Sequence, residues 1–147
     1  MIRTIIAVIA GLVAGSAVNM GLVMLGSALI PGPPGVDMND AASLEAGINL
    51  LEPRHFVFPF LAHALGTLAG VVTAYAISVH HKTRAAYAIG ALFFLGGIAA
   101  SSMIPAPSWF MALDLVVAYI PMAFLGILIG ARLAKSTEKE PATGSEE

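Results

Sequence analysis

Cysteine is absent from this 147-residue chain, which excludes disulfides, thiolate metal sites and thiol redox chemistry together. Charge is scarce as well: 11% of residues are Asp, Glu, Lys or Arg, against 58% apolar. That much apolar surface exceeds what a soluble chain of this length can bury, so lipid must cover the remainder. A basic face is missing, and a net charge of −2 offers nothing to a nucleic-acid partner. No run of residues matches a catalytic or cofactor signature. The expectation is therefore a membrane protein with the lipid bilayer as its first partner, no cofactor, no bound metal and no assigned enzymatic activity.

What the chain does have is four long apolar runs, at 4–30, 56–79, 85–104 and 109–133, each near or above the ~20 residues that span a bilayer core. They predict an all-α fold, a four-helix transmembrane bundle occupying residues 1–135. Four spans put both termini on one side. Arg3, Lys82, Arg84, Arg132, Lys135 and Lys139 fall on that side and only Arg54 on the other, so the positive-inside rule places both termini in the cytoplasm of a cell inner (plasma) membrane. Trp109 and the Phe56, Phe58 and Phe60 cluster then sit at the outer interface, with Tyr75 and Tyr87 near the inner one. Ala14, Gly15 and Ser16 resemble a signal-peptide cleavage site, but the apolar run continues well past them, which favours a retained first span.

The outer loop, 31–55, opens with Pro31-Gly32-Pro33-Pro34-Gly35, which forces the chain out of the first helix. A short interfacial helix follows, with Asp37 or Asn39 as its cap, Leu44, Ile48 and Leu51 on one face, and Pro53 as its stop. It either lies flat on the membrane or caps the bundle. Asp37, Asp40, Glu45 and Glu52 make it acidic, which suits a solvated surface as well as a cation-gathering one. Arg54 and His55 are expected at lipid headgroups. At the far end, residues 136–147 lack large apolar side chains and read as a disordered cytoplasmic tail.

Glycines four apart mark where helices approach closely in lipid. Gly11 and Gly15 lie on the first span, Gly66 and Gly70 on the second, and Gly126 and Gly130 on the fourth. Contacts within one bundle or between copies in a homo-oligomer both fit this pattern.

Polar residues at membrane depth carry whatever chemistry the chain performs. At ~1.5 Å per residue, Asp114 lies about 8 Å from the outer end of its span, His63 about 10 Å, and Asn19, Thr67 and Tyr119 about 15–16 Å. An acid and an imidazole in one layer are expected to pair, because ionisable groups in a bilayer face the protein interior and find partners. Thr67 and Asn19 extend the pair toward the membrane centre, while Tyr119, about 140° round an α-helix from Asp114, points elsewhere. Pro121 lacks an amide hydrogen, so a kink and a free Val117 carbonyl are expected beside Asp114.

Two functional readings follow. The layer around His63 and Asp114, with Asn19 and Thr67, moves or binds a small polar solute or protons, since such a pair can exchange a proton as a coupled unit. Alternatively it is helix-packing glue in a structural or assembly subunit of a larger membrane complex. A Ser-His-Asp set can be drawn from Ser101 or Ser102, but no glycine shapes a nucleophile turn around them. Glu52, His55, His63 and Asp114 match no metal-binding spacing.

Overall fold

In lipid no water satisfies backbone amides, so each apolar run must close its hydrogen bonds internally as helix. The computed structural model describes residues 2–104 and 106–138, all-helical with no strand among them. The elements are α1 (Ile2–Leu29), α2 (Ala41–Gly47), 3-10 turns at Ile48–Leu50 and Pro53–Phe56, α3 (Val57–Ile77), α4 (Lys82–Met103), α5 (Ser108–Leu113), a π-helical segment (Asp114–Tyr119) and α6 (Ile120–Glu138). Four helical stretches are long and apolar enough to cross a membrane: Ile2–Leu29, Pro53–Ile77, Lys82–Met103 and Ser108–Ser136. The shortest, at 22 residues, reaches about 33 Å, enough for a ~30 Å hydrocarbon core. The result is a four-helix bundle with a short helix in its first connection.

Helix α3 is the centre of the bundle and packs on α1, α4 and α6. Its contact with α1 is the closest. A β-carbon added at Gly11 would lie 2.6 Å from the Gly70 carbonyl oxygen, and one at Gly15 would lie 2.6 Å from that of Gly66. Only hydrogen at these positions lets the two backbones approach this far. Gly126 makes room for Val71, and Gly130 for the ring of Tyr75, so all six glycines of the stripes face neighbours within the chain.

Three clusters fill the interior from end to end. At the terminal end, Ala7, Val71, Ala74, Ala85, Ala86 and Ile89 form a tight plug of small and branched side chains. Ala64, Ala118 and Tyr119 occupy the middle with Phe60, Phe93 and Phe94. Ile48, Phe56 and Phe110 close the loop end, with Leu51, Ile104 and Ala106 against them.

The first connection leaves α1 through a type II turn at Pro33–Val36, where Gly35 takes a positive φ of 87° and the Val36 N–H donates to the Pro33 carbonyl at 3.0 Å. The cap of α2 is Asp40, neither Asp37 nor Asn39: its carboxylate accepts from the Ser43 N–H at 2.8 Å. The two expected caps are engaged elsewhere, Asp37 accepting from the Asn39 N–H and Asn39 accepting from the Ser27 hydroxyl. Leu44, Ile48 and Leu51 do share a face, which covers a cavity between the spans. At the other end α6 continues through Glu138, so Ser136 still belongs to the helix, and the rest of the expected tail lies outside the described residues.

Candidate functional site

Helix α3 is launched by the 3-10 turn at Pro53–Phe56, where Glu52 and His55 cap one another reciprocally and Pro53 sits where its missing N–H does no harm. Two turns further on, this start delivers His63 to the bundle interior. Asp114 comes from the opposite direction, at the junction of α5 with the π segment.

The two side chains meet. His63 Nδ1–H donates to both carboxylate oxygens of Asp114, at 2.9 Å to Oδ1 and 2.8 Å to Oδ2. Asp114 is 4% exposed and His63 25%, so the carboxylate is enclosed while the imidazole reaches open space. With Nδ1 committed to Asp114, the remaining ring nitrogen, Nε2, has no hydrogen-bond partner among the described residues. In the neutral ring this nitrogen carries a lone pair, so the buried acid orients the ring with Nε2 as an acceptor.

Beneath α2 the pair forms part of the wall of a cavity of about 240 Å³. Most of the wall is apolar, including Leu44, Ile48, Phe56, Ile104 and Phe110, and its polar members are His55, His63, Ser101 and Asp114. His55 is thus a correction to the expectation of a headgroup contact. It is 4% exposed, its Nδ1 accepts from the Glu52 N–H at 2.9 Å, and Nε2 is left as a donor without a partner among the described residues. Arg54 alone stays outside, in an exposed ion pair with Glu52 at 3.0 Å that adds little stability.

Thr67 and Asn19 do not extend the pair. Thr67 is fully buried one turn along α3, with its hydroxyl unpartnered. Asn19 packs beside Gly66 and lines a separate crevice of about 380 Å³ between α1 and α4, together with Ser16, His63 and Tyr119. Val117 lines neither space.

Tyr119, like His55, sits elsewhere than its place in the sequence suggests. In α-helical geometry residues i and i+4 share a face, but in a π turn the i→i+5 bonding brings i and i+5 together. Asp114–Tyr119 is π-helical, and the Tyr119 ring stacks on His63 at 5.6 Å between centroids with 29° between planes. Pro121 held the clue. Its ring crowds the preceding turn and it has no N–H to give, and a widened turn immediately before it accommodates both. Gly97 completes the arrangement, since a β-carbon there would fall 2.6 Å from the Tyr119 hydroxyl.

Neither Ser101 nor Ser102 is hydrogen-bonded to His63 or Asp114. Ser101 donates to the Gly97 carbonyl at 2.9 Å and Ser102 to that of Ala99 at 2.6 Å, so each hydroxyl proton is spent on its own helix. Among the described residues, no three His, Asp or Glu side chains converge to hold a metal ion. No protein-family model, curated protein or solved structure matches the chain.

Proposed function

We propose that this multi-pass membrane protein binds a small solute in the cavity beneath α2 and exchanges a proton with it, or with solvent, at the His63–Asp114 pair. The observation that carries the reading is the two-oxygen contact of His63 Nδ1 with a buried Asp114 at the wall of a cavity otherwise largely apolar. Such walls favour a solute with an apolar body and at least one hydrogen-bonding group, since a wholly polar one would lose its hydration without compensation. The ionisable groups facing the imidazole are Asp114 and Tyr119, with His55 across the cavity. Below the layer the terminal-end plug closes the bundle, so the arrangement supports a site entered from one end. With five of the six Lys and Arg among the described residues at the opposite end, that entrance faces outside and both termini face the cytoplasm.

Trp109, the sole tryptophan, provides the readout, because its ring packs edge-on against Phe56 and Phe110, both in the cavity wall. Benzyl alcohol, an apolar ring with one hydroxyl, is a suitable probe and toluene its control at equal micelle loading. The alcohol should change Trp109 fluorescence saturably in the purified protein, with an apparent affinity that varies between pH 5 and 8. Asp114→Asn keeps an acceptor for Nδ1–H but removes the charge, and it should shift the pH dependence. An Asp114→Asn response identical to the parent's, or no saturable response in the parent, would leave the pair as packing glue in an assembly subunit.

A further inference from the structure

His63 belongs to the walls of two spaces at once. It stands between the cavity beneath α2 and the crevice between α1 and α4, and Gly97 and Ala100 of α4 also line both. The crevice has its own chemistry. Leu12, Met20, Leu92 and Phe93 make it apolar, yet Asn19 and Tyr119 bring an amide and a phenol into it that make no hydrogen bond among the described residues. Tyr119 is 3% exposed and also borders a groove with Tyr87, Phe94 and Phe124, yet its hydroxyl has no hydrogen-bond partner among the described residues. A polar group left unpartnered beside apolar walls at membrane depth is costly unless something occupies the space beside it.

We infer that the crevice between α1 and α4 binds a membrane-borne neutral amphiphile whose head group carries a hydroxyl, the head lying among Asn19, His63 and Tyr119 and the chain along the apolar walls. Three features select this chemistry. No Lys, Arg, Asp or Glu lines the crevice, and the Asp114 carboxylate is enclosed behind His63 and bonded to its Nδ1–H, so a charged head finds no counter-ion in contact. An acceptor-only head would leave the lone pair of neutral His63 Nε2 unmatched, whereas a hydroxyl donates to it and still accepts from Asn19 or Tyr119. The walls on α1 and α4 belong to spans whose outer surfaces are largely exposed and apolar, so the ligand arrives from the bilayer.

The site shares His63 with the cavity beneath α2 but rests on Asn19 and Tyr119, which that cavity does not use. Native mass spectrometry of the full chain in mild detergent tests it with three probes of one chain length: oleyl alcohol, oleic acid and octadecene. Oleyl alcohol should bind one per chain and more tightly than either of the others. Tyr119→Phe, which retains the ring on His63, and Asn19→Leu should each weaken the alcohol about tenfold, the loss of one hydrogen bond. Octadecene or oleic acid binding as tightly as the alcohol overturns the inference, as does undiminished alcohol binding in both variants. The benzyl alcohol response of Trp109 in Tyr119→Phe reads the other cavity separately, so the two proposals fail independently.

Discussion

At the scale of single residues, the His63–Asp114 contact is asymmetric. The carboxylate is enclosed and the imidazole has an outlet, so removing the histidine strands a buried charge and removing the acid does not. His63→Ala should therefore destabilise the protein by about 3 kcal/mol or more, and Asp114→Ala by clearly less, in reversible unfolding from mild detergent. Equal losses would contradict the burial argument. Thr67 gives the opposite case: its enclosed hydroxyl has no partner, so Thr67→Val should be neutral or stabilise by about 1 kcal/mol in the same assay. A loss of stability there would reveal a partner for the hydroxyl. Placing His63 and Asp114 together was legible from depth alone, because both residue types are expensive in lipid and lie in one layer. His55 was not legible: next to Arg54 and before an apolar run it has the pattern of a headgroup residue, and only the mutual cap with Glu52 turns it inward.

At the scale of elements, what the sequence revealed was local and what it concealed was tertiary. Run length defines a span and glycine spacing a face, so the four helices follow from nearby residues, whereas the meeting of Gly11 and Gly15 with Gly70 and Gly66 within the chain does not, since the stripes fit contacts between copies equally. Gly66→Leu should accordingly cost about 1–3 kcal/mol in detergent unfolding, because backbone and Asn19 stand where the side chain must go. A neutral result would mean that α1 can retreat without loss. The cap of α2 and the π segment depend instead on competing partners: Ser27 takes up Asn39, and Pro121 together with the packing of Tyr119 favours a wide turn over a simple kink. Pro121→Ala restores an amide hydrogen and relieves that turn. It should draw Tyr119 away from His63, seen as the loss of the ring-current shift on the His63 proton signals; an unchanged shift would show that packing alone sustains the π register.

For the whole molecule, the bundle is closed by small side chains at one end and hollow at the other, with the titratable pair at the boundary. The orientation proposed from charge is tested in intact cells by a membrane-impermeant maleimide, since the chain contains no native Cys. Glu45→Cys should be labelled and Glu140→Cys should not; the reverse pattern inverts the topology and puts the cavity entrance on the cytoplasmic side. The function argued here needs the pair to change its protonation while the fold persists. Nitrogen NMR of the four ring-labelled histidines in detergent measures this directly. One imidazole, identified by its loss in His63→Gln, should titrate reversibly at Nε2 between pH 5 and 9 while its Nδ1 proton stays bonded to Asp114, and the step should move in Asp114→Asn. A His63 ring whose nitrogens stay constant across that range in the folded protein would contradict the account and leave the pair as a fixed link between α3 and the last span.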